Sequence, residues 1–441
     1  MPDRPNTQHG LADLIARRDA PIMVWGGGFI GLSAAVAFAD VGFRCHVVDI
    51  DADRVVSINN ARVPVPGFED RIPLRRELVD DGRLSAGLPD EVPWPAAVHV
   101  VCVNTDRSGK PVVEPLLDVL RRIRALHGAG GEVIVSIEST VNVRWLREEV
   151  LPTLLGDAPD WPGLHLIAAP RRDWMLSADM NLKTLPRVVG SWRDESRPLA
   201  EALYSSVSEH VHVARDWAHA ALTKPVENLY RYLDLVLTNQ LTEAYPDLDV
   251  VEVLKLAGTK WNMPTYHPSI GIGGYCIPLS PEFIVEDVAQ SQAMPIVHSA
   301  REWSAAYPRQ LAAKLRDLAD GPIGILGVSY APDARISEGS PAAALARCLR
   351  ELGVEVRVHD PYFTPDEATH LTGSAPLAYP TGLAEVRMLV VATAHAEYRD
   401  LPDIITKLSS PPLIVDNLGL FREELVSRGI QYFELGALSV K

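Results

Sequence analysis

The chain has 441 residues, more than one ordinary core needs, so two or three domains are expected. Hydrophobic residues make up 47% and charged residues 22%, the balance of a soluble globular protein. The formal net charge of -15 excludes a general nucleic-acid or membrane-surface binder, which needs basic patches, but leaves room for a small anionic ligand held by a few local groups.

Residues 1–20 are polar with a short helical pattern, LADLIARR, and read as an appended N-terminal extension. Pro21 to Trp25 follows as a buried-strand pattern, then a glycine turn, the apolar helix FIGLSAAVAFADV and a second strand, CHVVDI: a βαβ opening. Strand-like VHVVCV, EVIVSI, LHLIAA and RVVGS alternate with helical PLLDVLRRIRAL and VRWLREEVLPTLL up to about residue 215, which predicts a parallel sheet covered on both faces. From Trp217 to about Ala244 the only strong breaker is Pro225, so one long helix is expected, with further helix over 250–257 and 282–317. Between them WNMPTYHPSIGIGGYCIPLSP, rich in Gly and Pro, reads as loop. The βα alternation restarts after Gly321 with IGILGV, PAAALARCLRELG and VEVRVHD, and continues in MLVVAT and LIVDN.

The expected fold class is therefore α/β: two doubly wound Rossmann-like domains joined by a long central helix and a small helical domain. The boundaries are 1–20, 21–215 for dinucleotide binding, 216–319 for the central dimerisation segment with the cysteine loop, and 320–441 for a substrate domain.

Gly26, Gly28 and Gly31 form G-x-G-x-x-G directly after the first strand and open a helix. The first glycine serves the tight turn, the second lets backbone approach a pyrophosphate, and the third lets helix and strand pack closely. The helix N-terminus offers amide donors and dipole to the anion. Asp49 ends the second strand, where a carboxylate accepts from a ribose 2′-OH and repels a 2′-phosphate, so NAD is expected rather than NADP. GILGVSY in the last domain lacks the fingerprint and should bind no second dinucleotide.

The cysteines are Cys45, Cys102, Cys276 and Cys348. They show no CxxC pair and no metal-ligand spacing; no metal is expected, and a reducing, cytoplasmic setting is, since neither a signal core nor a membrane-spanning run is seen. Three of the four lie in apolar strands or helices and read as small buried hydrophobes. Cys276 instead sits in SIGIGGYCIPLSP, where Gly271, Gly273 and Gly274 let backbone pass close to a ligand.

These residues carry a resemblance. AGTKWN (257–262) followed by GIGGYCIP, KPVENLYR (224–231), EST (138–140), GILGVSYAPD…SP (324–341) and VHDPY (358–362) are similar to motifs of the UDP-glucose/GDP-mannose dehydrogenase family, nearest its N-acetylhexosamine branch. The resemblance covers nearly the whole chain after residue 20. It implies oxidation of a primary alcohol through an aldehyde to a carboxylate with two NAD, by a homodimer centred on the long helix. Cys276 is implied as the thiolate that adds to the aldehyde. Lys224 and Asn228, one helical turn apart, are implied as oxyanion stabilisers, and Thr140 as the holder of a water. It also implies Phe29, Ile30, Thr105 and Thr140 at the cofactor. Around the substrate it implies Arg171, Arg172, Lys224, Asn228, Arg231, Tyr266, His267, Gly273, Tyr330, Arg335 and Glu338.

The departures from the family pattern are several. Pro170-Arg171-Arg172 replaces Pro-Glu-Arg, so Arg171 stands in place of a carboxylate; Ser280 replaces the acid four residues after the cysteine; Tyr275 and His267 replace a histidine and an arginine. In the last domain Ala331, Glu338 and Leu418, the last after Asp416, replace three basic residues that serve a nucleotide diphosphate, and Arg335 is the candidate to compensate. The alternative reading is thus the same chemistry on a sugar, nucleoside or cyclitol without the usual diphosphate, stopping at the aldehyde where water-activating acids are missing. A non-catalytic NAD-binding paralogue is a third reading, and the retained Cys276, Lys224, Asn228 and Thr140 speak against it.

Overall fold

The computed structural model describes residues 10–128, 130–173, 179–288 and 293–435. The chain divides into two compact units, residues 1–227 with 282–289, and residues 228–281 with 290–441. Among the described residues no helix is long and apolar enough to cross a membrane.

In the first unit the strands are β1 (Ile22–Trp25), β2 (Cys45–Val48), β3 (Leu84–Gly87), β4 (Val98–Val101), the short β5 (Asp106–Arg107) and β6 (Lys110–Pro111), β7 (Val133–Ile137), β8 (Leu164–Ala168), β9 (Arg187–Ser191) and β10 (Val211–Val213). Eight of them form one sheet in the order β10-β9-β8-β7-β4-β1-β2-β3. The apolar runs IMVW, CHVV and VIVSI are buried throughout, as strands covered on both faces must be. All neighbours are parallel except β8 and β9. The alternation of strands and helices predicts parallel pairing there too. The described residues of the β8–β9 connection contain no helix, and without a crossover the chain returns antiparallel. The helix Leu11–Arg17, in the segment read as appended, buries Leu11 and Ile15 in the same core as β1 and β2.

In the second unit β11 (Ile323–Leu326), β12 (Val356–His359), β13 (Ala375–Pro376), β14 (Met388–Val391), β15 (Leu413–Asp416) and β16 (Tyr432–Glu434) form an all-parallel sheet in the order β13-β12-β11-β14-β15-β16. Strand order reverses at β11, the doubly wound arrangement.

The long helix runs Trp217–Ala244, 28 residues or about 42 Å, and carries Pro225 in its third turn. One expectation is corrected. The helix that follows the glycine loop begins at Cys276 and runs to Asp287, so IPLSP is helical rather than loop. Pro278 falls in the first turn, where amides have no intrahelical partner, while Pro281 lies inside the helix. The described helix Pro295–Leu318 follows, and residues 289–292 of the expected helical stretch lie outside the described ones.

Candidate active site

The cofactor turn is built by steric demand. Gly26 has φ +98°, and a Cβ there would lie 2.7 Å from the Cys102 carbonyl oxygen. A Cβ on Gly31 would lie 1.8 Å from the Gly26 oxygen. Gly28 differs: it is the N-cap of the helix Phe29–Asp40, and a Cβ there would meet nothing within 4 Å. The turn thus leaves open space in front of a helix N-terminus, which fits a pyrophosphate. Asp49 is 5% exposed; its carboxylate accepts from the Gly27 amide at 2.6 Å, the Asp51 amide at 2.9 Å and Arg54 Nη1 at 3.0 Å. Arg54 carries no motif signal and went unread in the sequence. Phe29 packs on Phe68, Thr105 Oγ1 donates to the Thr140 carbonyl at 2.6 Å, and Ile30 and Thr140 are half-buried.

Beside this turn lies a buried charge cluster. Glu138, 1% exposed, accepts from Arg187 Nη2 at 2.7 Å, the Tyr204 hydroxyl at 2.8 Å and Arg171 Nη1 at 3.3 Å. Arg171, expected at the substrate, is instead 1% exposed, with its donors taken by Asp173, Glu138, Ile30 and Ser33. Burial alone would raise the Asp173 carboxyl, but the Arg171 guanidinium holds it below the usual carboxylate range. Arg172, also expected at the substrate, forks onto Glu227 at 2.6 and 3.0 Å and donates to the Pro186 carbonyl at 2.7 Å. Lys224 is half-buried on the long helix.

In the second unit Cys276 is half-buried at the first position of its helix. Ile277 anchors that helix start among Tyr232, Val236 and Ala300. Asn228, 9% exposed, donates to Ser280 Oγ at 3.1 Å, and Ser280 Oγ donates to the Cys276 carbonyl at 2.9 Å. The residue in the family's acid position therefore braces the cysteine's own backbone. The glycines of the loop, expected to let backbone approach a ligand, are packed closely against protein atoms. A Cβ on Gly273 would lie 2.6 Å from Pro341 and 2.8 Å from the Gly339 oxygen; on Gly274, with φ +79°, it would strike the Tyr330 ring at 2.6 Å. Burial pushes the Tyr330 hydroxyl up, with Cys276 near enough to add to the effect and Arg231 near enough to oppose it. Tyr266 is hydrogen-bonded to Asp234, and His267 is exposed.

Two asparagines unread in the sequence hold this loop. Asn239 Oδ1 accepts from the Ser269 amide at 2.8 Å, and Asn417 Oδ1 from the Ile270 amide at 2.9 Å. Asn239 follows Asn228 by three helical turns, so both lie on one face; that spacing was the available signal. At the carboxyl ends of the second sheet, Asp360 accepts from the Val328 and Ser329 amides at 2.7 Å and from His395 at 3.2 Å. Arg335, expected to compensate for missing cations, is paired with Glu367 at 2.7 Å and lies over Phe363, so its charge is already balanced. Glu338 is exposed.

The comparisons with known proteins agree with this layout. Residues 20–208 match the NAD binding domain of the UDP-glucose/GDP-mannose dehydrogenase family, 218–305 its central domain and 324–423 its UDP binding domain. The chain is similar to the UDP-N-acetyl-D-mannosamine dehydrogenase of Pyrococcus horikoshii, at 26% identity over 93% of this chain and 98% of that one. It is also similar to that of Methanococcus aeolicus, at 26% over 86% and 85%. The solved Pyrococcus horikoshii UDP-D-ManNAc dehydrogenase shares the fold with a TM-score of 0.81 at 23% identity, covering 95% of this chain and all of that one. A UDP-glucose dehydrogenase from Pyrobaculum islandicum shares it with a TM-score of 0.76 at 22% identity, over 94% and 96%. The chain belongs to the UDP-glucose/GDP-mannose dehydrogenase family and is an NAD-dependent dehydrogenase acting on CH–OH.

Proposed function

We propose that the protein oxidises the C6 alcohol of a UDP-N-acetylhexosamine, through the aldehyde, to the uronic acid. The observation that carries this reading is Cys276 at the start of a helix, on a loop tied down by Asn239 and Asn417 and packed against Pro341 and Tyr330, in a chain similar to UDP-N-acetyl-D-mannosamine dehydrogenases. Bound NAD, held by the Gly26–Gly31 turn and Asp49, supplies the hydride acceptor for each of two oxidations. An aldehyde has no carbinol hydrogen to give up. Cys276 sulfur adds to its carbonyl carbon, giving a thiohemiacetal that has one; oxidation leaves a thioester, and water cleaves it to the carboxylate and the free thiol. Lys224 and Asn228 stabilise the oxyanion formed on addition, and Thr140 holds the water.

One observation favours a second reading. Ala331, Glu338 and Leu418 supply no cation for a diphosphate, and Arg335 is paired with Glu367. A sugar, nucleoside or cyclitol without the full diphosphate suits such a domain. Arg171 and Ser280 are not bases for water, so release of the aldehyde belongs with it. Incubation with NAD and a panel of UDP-sugars, following absorbance of reduced cofactor and identifying the product, separates the readings. Turnover of UDP-N-acetylhexosamines at two NAD per sugar supports the first. Turnover of only the free sugars or nucleosides, or one NAD per molecule, supports the second.

The working unit is a homodimer. Tyr230 and Leu237, two turns apart on the long helix, are 69% and 54% exposed, and Leu256 and Trp261 nearby in the chain are 64% and 92% exposed. A monomeric mass by light scattering at micromolar concentration would sink this.

A further inference from the structure

Arg171 stands where the resemblance expects a carboxylate, and the chemistry above leaves it without a task. Its surroundings supply one. Nη1 donates to the Ile30 carbonyl at 3.0 Å, and Nη2 donates to Ser33 Oγ at 3.0 Å. Ser33 Oγ in turn donates to the same Ile30 carbonyl at 3.0 Å. Two donors therefore converge on one carbonyl in the first turn of the helix Phe29–Asp40. The carbonyl of Ile30 and the amide of Gly31 share one rigid peptide plane. That amide is among the helix-start donors without an intrahelical partner, the groups that meet a bound pyrophosphate. Fixing the carbonyl fixes the direction of the amide.

The other side of Arg171 keeps it in place. Nε and Nη2 fork onto Asp173, and Nη1 reaches Glu138 at 3.3 Å. Glu138 is held independently by Arg187 and Tyr204. Two guanidiniums and two carboxylates thus balance within the buried cluster, which is what a charge 1% exposed requires. Arg171 links a segment after β8 to the cofactor helix, about 140 residues away in the chain.

We propose that Arg171 is a positioning residue for the cofactor: through the Ile30 carbonyl and the Ser33 hydroxyl it presets the first turn of the helix for the NAD pyrophosphate. The proposal rests on the NAD binding domain and is independent of the sugar substrate.

The test separates aim from stability. Arg171→Met alone strands the Asp173 carboxylate, so it lowers stability and affinity together and decides nothing. Arg171→Met/Asp173→Asn removes one charge of each sign and leaves Glu138 with Arg187. Its thermal midpoint is expected to recover toward that of the parent. Its Kd for NAD by calorimetry, and its KM for NAD, are expected to stay raised about tenfold, with a much smaller change in kcat. Ser33→Ala carries no charge change and tests the same carbonyl: NAD affinity should fall about threefold at an almost unchanged thermal midpoint. Parent-like NAD affinity in the double variant, or in Ser33→Ala should the double variant fail to fold, overturns the proposal. Failure of the parent itself to bind NAD would instead overturn the cofactor assignment.

Discussion

Two glycine-rich turns in this molecule lead into helices, and they use glycine for different reasons. In the cofactor turn, Gly26 and Gly31 are pressed by protein atoms while Gly28 faces open space. In the cysteine loop, Gly271, Gly273 and Gly274 all lie against Pro341, Gly339 or Tyr330 of the same unit. The first turn leaves open space at a helix start, where the proposed function seats the phosphates of NAD. The second gives its space to the protein, and in the proposed function the side chain that follows it, Cys276, is the reactive group. A run of glycines is thus a statement about close approach, and only the tertiary structure says what approaches.

The sharpest break of this comparison is Cys276→Ser. If the second helix start is chemical and the first is a binding device, this variant should still produce aldehyde from alcohol. Acid formation should fall by about 1,000-fold or more, because an alkoxide is a poor adduct and leaving group. Acid made at the parent rate, measured by product chromatography, would make Cys276 structural.

Gly273→Ala comes next. Its methyl would lie 2.6 Å from Pro341 and 2.8 Å from the Gly339 oxygen, so the cost should be about 2–3 kcal/mol of stability. Urea denaturation measures it. An unchanged midpoint would mean that the loop yields freely and that its glycines serve a ligand after all.

Both units bury histidines. In the first, burial holds His46, with Arg44 beside it, down to about 4, and holds His99 well below the ordinary imidazole value, with His127 beside it. Both are neutral when folded, so the unfolded chain binds more protons as pH falls below about 6.5. Their contribution is complete above that pH and is lost progressively on acidification, His46 alone accounting for roughly 1 kcal/mol by pH 5.5. Hydrogen exchange at pH 7 and 5.5 should show protection falling first around β2 and β4. Uniform protection at both values contradicts the assignment.

Gly28→Ala is the smallest effect and the most selective. Its methyl meets no protein atom and its φ of -68° suits any residue, so stability should move by less than about 1 kcal/mol. The methyl occupies the space in front of the helix, so the NAD Kd should rise about tenfold or more. NAD affinity equal to the parent's would place the pyrophosphate elsewhere.

Local periodicity determined much of this protein by itself. Apolar runs long enough to be buried on both faces mark β1, β4, β7 and β11, and the breaker-free stretch 217–244 is the long helix, because these signals lie within a few residues of one another. The G-x-G-x-x-G turn and Asp49 were legible for the same reason: strand, turn, helix and acid follow in order along the chain. Other features depend on partners far away in sequence. The antiparallel β9 follows from a connection with no described crossover helix. The helix beginning at Cys276 depends on Ile277 finding Tyr232, Val236 and Ala300. Arg171 reads as a substrate cation until Asp173, Glu138 and Ile30 enclose it, whereas Arg335 stays exposed beside Glu367. A charged side chain takes its role from the groups that desolvate and balance it, and residues as far apart in sequence as Arg171 and Ile30 become such neighbours only when the chain folds.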